Sequence, residues 1–115
     1  MSVRMEKVAS LIKHEVGTII NRNYRDSSYG FITVTEVRMT PDLKIAKIYV
    51  SIFGNALVKE KTLAKLESEK GEIRGLLGSH IRLKFTPSLQ FYVDDTLDRV
   101  EIIDNLIRKI HKNDQ

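Results

Sequence analysis

The 115-residue chain contains no cysteine, which excludes disulfide bonds, thiolate metal sites, iron–sulfur clusters and a cysteine nucleophile. Long apolar runs are also missing. The longest stretch without Asp, Glu, Lys or Arg covers residues 48–58 and includes Ser, Gly and Asn, whereas a membrane-spanning helix needs about 20 apolar residues. No apolar run follows the charged residues near the N-terminus, so no signal peptide or membrane association is expected. The cytoplasm is therefore the expected compartment.

The sequence also lacks the usual catalytic motifs. It contains no His-Glu-x-x-His, Gly-x-Ser-x-Gly or Walker pattern, and His14, His80 and His111 are far apart in the chain. His80 lies on the apolar stripe of a predicted helix, which favours a core or boundary position over a general base. The pair Asp94 and Asp95 is best interpreted as a helix start. The sequence therefore predicts no enzyme, metal site, cofactor or small-molecule substrate.

What the chain has in excess is positive charge. Apolar residues make up 42% and charged residues 30%, as in a soluble globular protein, and the length suits one domain covering residues 1–115. Residues 1–93 contain 15 lysines and arginines against 9 acids, whereas residues 94–115 contain 4 against 6. This basic body indicates a polyanionic partner such as nucleic acid. The alternative is a solvated surface with a modest positive excess and no anionic partner.

The spacing of apolar residues predicts the secondary structure. Asn55 is expected to cap the second helix, and Gly71 is expected to interrupt it before a third helix. The predicted elements, in chain order, are a helix over about 3–22, strands over 31–40 and 44–53, helices over about 56–70 and 73–81, a strand over 89–93, and a helix over about 95–111.

Residues 40–43, Thr-Pro-Asp-Leu, suit the turn of a hairpin between the first two strands. The second and third strands are joined by two helices and can pair in parallel. Three strands bury only one face, so the helices are expected on one side of the sheet. This order matches an α+β, type II K-homology domain with an added C-terminal helix.

Residues 75–78 read Gly-Leu-Leu-Gly, which is literally the Gly-x-x-Gly motif that clamps nucleic-acid backbone in K-homology domains. We interpret it instead as helix interior, because Leu76 and Leu77 lie on the apolar stripe and are expected to be buried. Gly71 is the better position for the break between helices, although Glu69 and Glu72 beside it would repel a phosphate.

Several segments carry a family resemblance. They are residues 4–15, 30–37 and 40–51, Ile73-Arg74 with Leu77-Gly78, residues 86–91, Asp94 and residues 103–106. The hairpin, with Thr40-Pro41-Asp42-Leu43-Lys44 between its strands, is the most specific of them. Over about residues 3–108 the chain closely resembles the ribosome-binding factor A family.

This resemblance implies a bacterial cytoplasmic factor that binds the small (30S) ribosomal subunit and assists late maturation of 16S rRNA, especially in the cold. The family is described as KH-like, with an Ala-x-Gly kink between two helices. The kink corresponds here to Glu69-Lys70-Gly71, where glutamate replaces alanine. Residues 26–30 also depart from the family pattern. The family often has Asp-Pro-Arg at this point, whereas this segment reads Asp-Ser-Ser-Tyr-Gly and contains no arginine.

We therefore predict a non-catalytic, monomeric RNA-binding factor with 16S rRNA as its partner. The alternative is a protein-interaction module of the same fold that binds through the hairpin edge or the last helix. Tyr49 and Tyr92 can either stack on a base or lie partly buried in the sheet. The candidate RNA contacts are Lys44, Lys47, Lys70, Arg74, Arg82 and Lys84, followed by Arg4, Lys7, Arg22 and Arg25.

Overall fold

The computed structural model describes residues 3–94, so the predicted helix over about 95–111 lies outside the described part of the chain. None of the helices within residues 3–94 is long and apolar enough to cross a membrane. The elements are α1 (Val3–Asn23), a short 3-10 helix (Ser27–Tyr29), β1 (Phe31–Met39), β2 (Ile45–Phe53), α2 (Ala56–Ser68), α3 (Lys70–His80) and β3 (Ser88–Val93). This order confirms the predicted elements up to the third strand.

The three strands form one sheet in the order β1-β2-β3. The β1–β2 pair is antiparallel, with a bulge at Thr35, and the β2–β3 pair is parallel. The parallel pair confirms the expectation from the sequence, because α2 and α3 carry the chain back across the sheet before β3 begins. Both β1 and β3 are edge strands.

The core lies between one face of this sheet and the helices. Alternate residues of β2 are fully buried, among them Ile48 and Val50, and they meet Ile12 of α1, Leu66 of α2 and Leu77 of α3 in one apolar cluster. Each of these side chains contributes about 1.5–3 kcal/mol by leaving water. The opposite face of the sheet carries polar and aromatic residues of the same strands.

The hairpin turn forms as predicted. The amide of Leu43 donates to the carbonyl of Thr40 at 2.8 Å, and Leu43 has a φ of 60°. The Asp42 carboxylate accepts from the Thr40 hydroxyl at 2.6 Å and from the Lys44 amide at 3.1 Å. These bonds, the one from Thr40 first, lower the pKa of Asp42 and keep its charge within the turn.

The break between the second and third helices differs in detail from the prediction. It falls at Glu69, since α2 ends at Ser68 and α3 begins at Lys70, and Gly71 lies in the first turn of α3. A side chain on Gly71 would have nothing within 4 Å, and its φ is ordinary for a helix. The break therefore does not depend on glycine at this position.

The Gly-x-x-Gly run lies inside α3, as predicted, but only one of its leucines is buried. Leu77 is fully buried with Ile73, whereas Leu76 is 42% exposed and His80 is also exposed. The predicted burial of Leu76 was wrong, and so was the core or boundary position predicted for His80, because the short α3 contacts the core along one narrow row of residues four apart. Leu76 and His80 form the next row, which faces solvent.

Candidate nucleic-acid interface

Three of the predicted cations come together at one end of the molecule. Arg4 in the first turn of α1, Lys44 at the end of the hairpin turn and Lys84 in the loop after α3 line the same pocket. We call it the basic pocket; its remaining lining residues are Val8, Asp42, Leu43, Leu83 and Phe85. These residues come from three distant parts of the sequence, so only the fold brings the positive charges together.

Two further candidates line a groove between the start of α3 and the edge strand β3. This groove has a volume of about 380 Å³ and contains Lys70, Gly71 and Arg74 on the helix side. Both cations also hold the protein's own structure. Lys70 forms an ion pair with Glu67 at 3.2 Å. Arg74 donates to the carbonyl oxygen of Thr86 at 2.7 Å and to that of Pro87 at 3.2 Å. Arg74 thereby fixes the loop that leads into β3.

The remaining candidates are dispersed. Arg22 lies 18 residues after Arg4 on α1, so the two are separated by about 27 Å along the helix axis at 1.5 Å per residue. Arg25 follows α1 and donates from Nε to the carbonyl of Asn21 at 3.1 Å. Lys7 and Arg82 are exposed, and Lys47 is half-buried on β2. The structure therefore does not unite all ten cations in one surface.

Three further residues that line surface grooves or pockets were not among the predicted contacts. Lys13 and His14 line a groove of about 560 Å³ between α1 and the edge strand β1, beside Phe31. Phe85, next to Lys84, is 68% exposed at the basic pocket. The signal available in the sequence is the adjacent pair Lys84-Phe85, which combines a cation with an aromatic ring, two kinds of group that contact single-stranded nucleic acid.

Tyr49 and Tyr92 contact each other. They are register partners on β2 and β3, and their rings stack with centroids 5.3 Å apart. The Arg38 guanidinium lies 5.4 Å from the Tyr49 ring centroid. Tyr49 is half-buried, which agrees with the alternative that it lies partly buried in the sheet, whereas Tyr92 is exposed. A cross-strand aromatic pair of this kind stabilises the pairing of β2 with β3.

Glu69, at the break between α2 and α3, is bonded to Tyr24, the residue that follows α1. The Tyr24 hydroxyl donates to Glu69 Oε1 at 2.6 Å, and Lys65 Nζ lies 3.4 Å from Glu69 Oε2. The hydrogen bond from Tyr24 lowers the pKa of Glu69 below its usual value, while burial and this same bond raise the pKa of Tyr24. The carboxylate therefore ties the helix break to α1.

This contact predicts a pH-dependent loss of stability. We expect Tyr24→Phe to lower the free energy of unfolding by about 1 kcal/mol at neutral pH, because a hydrogen bond to a carboxylate is lost. Because the pKa of Glu69 is lower in the folded state, the contribution is present above the unfolded-state pKa and is lost as the pH falls through the folded-state value. Urea unfolding of the parent protein and of Tyr24→Phe between pH 7 and pH 3 should show that the difference in their free energies of unfolding becomes smaller in acid.

Tyr92→Phe is the matched control, because its hydroxyl donates to the side chain of Gln90 at the surface. We expect this variant to stay within about 0.5 kcal/mol of the parent protein. A difference between Tyr24→Phe and the parent that persists unchanged at pH 3 would contradict the role assigned to the Glu69 carboxylate.

Within residues 3–94, no group of three or more His, Asp and Glu side chains is placed so that it could hold a metal ion. The surface of this part of the chain instead presents cations beside exposed aromatic rings, as at Lys84 and Phe85. Such a surface suits the binding of a polyanion.

Comparison with known proteins identifies the family of this chain. The family model of ribosome-binding factor A matches residues 4–107. Ribosome-binding factor A of Staphylococcus saprophyticus is 39% identical over 114 residues, covering 99% of this chain and 100% of that protein.

Solved structures of the same family share the fold. The crystal structure of ribosome-binding factor A from Thermus thermophilus superposes with a TM-score of 0.68 at 21% identity, covering 77% of this chain and 94% of that one. A homology model of the Thermus thermophilus factor, fitted into the cryo-EM map of a complex with the 30S subunit, gives a TM-score of 0.66 at 22% identity, covering 75% of this chain and 90% of that one. The predicted KH-like, α+β fold is confirmed. The chain belongs to the ribosome-binding factor A family.

Proposed function

We propose that the protein is a non-catalytic factor that binds the 30S ribosomal subunit in the cytoplasm as a monomer, contacts its 16S rRNA and assists late maturation of that RNA. The observation that carries this proposal is the family match over residues 4–107. The fitted complex of the Thermus thermophilus relative with the 30S subunit supports it.

The charges on the described surface support direct contact with RNA. Arg4, Lys44 and Lys84 are exposed around one pocket and stand on separate elements, so together they can neutralise neighbouring phosphates. Binding to phosphates releases condensed counterions, which makes it favourable at low salt. Because RNA helices display little sequence in their accessible groove, shape would dominate recognition. If the RNA interconverts between two conformations, the protein would shift that equilibrium towards the conformation that it binds more tightly. The size of the shift is set by the difference between its affinities for the two conformations.

A salt series tests direct RNA contact. We expect the association constant of the protein with purified 30S subunits, measured by co-sedimentation, to fall about 30-fold between 50 and 200 mM salt if about three phosphates are contacted. The double variant Lys44→Glu with Lys84→Glu should bind more weakly than the parent protein at each salt concentration, and its affinity should depend less steeply on salt. Arg22→Glu, at the far end of α1, should have the smaller effect. No association at low salt would refute the proposal, and a flat salt dependence would refute direct phosphate contact.

The alternative is a protein-interaction module without direct RNA contact. One observation favours it: β1 is an edge strand, and Phe31 on it is 71% exposed beside the groove against α1. An edge strand with an exposed aromatic residue can add a strand from a partner protein. If capture of 30S components survived ribonuclease and was lost in Phe31→Ser, this second function would be favoured.

A further inference from the structure

The basic pocket combines features that a simple phosphate-binding patch does not need. It is a small pocket of about 160 Å³ whose walls are largely apolar, formed by Val8 at the edge of the core and by Leu43 and Leu83. Phe85 stands at its mouth with most of its ring in solvent. A patch that bound only phosphates would gain nothing from an apolar cavity of this kind.

The charges surround this cavity. The three cations Arg4, Lys44 and Lys84 line it together with one carboxylate, that of Asp42. Asp42 is engaged in the hairpin turn through Thr40 and the Lys44 amide, so its carboxylate is directed to bonds within the turn. Lys84 Nζ lies 5.7 Å from the centroid of the Phe85 ring, so a positive charge stands directly beside the exposed aromatic surface. The net charge of the residues that line the basic pocket is therefore positive.

From this arrangement we infer that the basic pocket receives one unpaired nucleobase of an RNA strand. The base would enter the apolar cavity and stack against Phe85, while Arg4, Lys44 and Lys84 hold the phosphates on either side of it. Unstacked bases of loops, bulges and ends are recognised in this way, on aromatic rings beside cationic groups. A base within a duplex cannot reach such a cavity, so the pocket would select single-stranded RNA. This inference rests on the proposed RNA-binding function.

The test uses the full-length protein and three fluorescently labelled probes: a single-stranded hexaadenylate, an RNA duplex of the same length, and a hexamer lacking bases. We expect tighter binding of the hexaadenylate than of the abasic strand, measured by anisotropy. Phe85→Leu should lower hexaadenylate affinity about tenfold, without changing the affinity for the duplex or the salt slope. The control Phe53→Leu, which alters an exposed aromatic ring elsewhere on the surface, should leave all three affinities unchanged.

Other outcomes would overturn the inference. Equal affinity for the hexaadenylate and the abasic strand, or an unchanged affinity in Phe85→Leu, would show that no base enters the pocket. Preferential binding of an acidic, leucine-containing peptide over the hexaadenylate, with sensitivity to Phe85→Leu, would assign the pocket to a protein partner instead. Co-sedimentation of the same variants with 30S subunits separates the two proposals. If Phe85→Leu binds 30S subunits normally and with the expected salt dependence, and its affinity for hexaadenylate is unchanged, only the base pocket is rejected. If the parent protein does not bind 30S subunits, the proposed function is rejected.

Discussion

Replacing Gly30 with alanine is expected to destabilise the protein by about 3 kcal/mol, because both its backbone conformation and its surroundings exclude a side chain. Gly30 joins the 3-10 helix to β1 with φ 69° and ψ −167°, a region that is essentially restricted to glycine. A Cβ atom there would lie 2.2 Å from the carbonyl oxygen of Phe53 and 3.1 Å from a methyl group of Val58. The measurement is urea unfolding followed by circular dichroism.

Gly71→Ala is the matched control for this substitution. Gly71 has an ordinary helical φ and free space around its Cα, so alanine should be tolerated and should stabilise α3 by up to about 1 kcal/mol. The two variants therefore distinguish a glycine that the backbone conformation requires, Gly30, from one that it does not require, Gly71. Similar losses of stability in both variants would contradict the position of the break at Glu69.

The second large effect is expected in α3. Leu77→Ala should lower the free energy of unfolding by about 3 kcal/mol, because removal of its fully buried side chain leaves a cavity in the apolar core. Leu76→Ala, one residue earlier, should cost less than about 0.5 kcal/mol because that side chain is largely in solvent. Thermal and urea unfolding of the two variants measure this difference directly.

The comparison also tests the Gly-x-x-Gly run. If residues 75–78 formed an exposed clamp for RNA, the two leucines would be equally dispensable for stability, and both variants would bind 30S subunits more weakly. The helical structure predicts instead that Leu76→Ala folds and binds normally. Gly78 has a packing role in this helix, since a Cβ atom there would lie 2.8 Å from the Thr86 hydroxyl of the following loop.

Much of the fold was predictable because it depends on local patterns. The apolar spacing of α1, the alternation along β2 and the Thr-Pro-Asp-Leu turn each follow from residues close together in the chain. Asn55 caps α2 as expected, accepting a hydrogen bond from the Val58 amide at 2.9 Å. The parallel pairing of β2 with β3 followed from the two helices between them.

Details that depend on a neighbouring element were not predictable in the same way. Leu76 and Leu77 have the same apolar character, and only the narrow contact of α3 with the core buries one of them. Glycine at position 71 suggested the break, but the break lies at Glu69, whose carboxylate accepts a hydrogen bond from Tyr24, the residue after the distant first helix. Sequence spacing carries no information about that contact.

The sequence by itself determined the element order within residues 3–94, the positive charge and the family, because these depend on composition, short-range periodicity and matching residues along the chain. The tertiary structure alone decided which cations lie close together. Arg4, Lys44 and Lys84 line one pocket because the start of α1, the hairpin turn and the loop after α3 lie on the same side of the core. Arg74 is held by backbone carbonyls, and Arg22 lies at the opposite end of α1. The physical reason is that burial of the apolar faces determines how the helices and strands pack. The positions of the charged side chains on the surface follow from that packing.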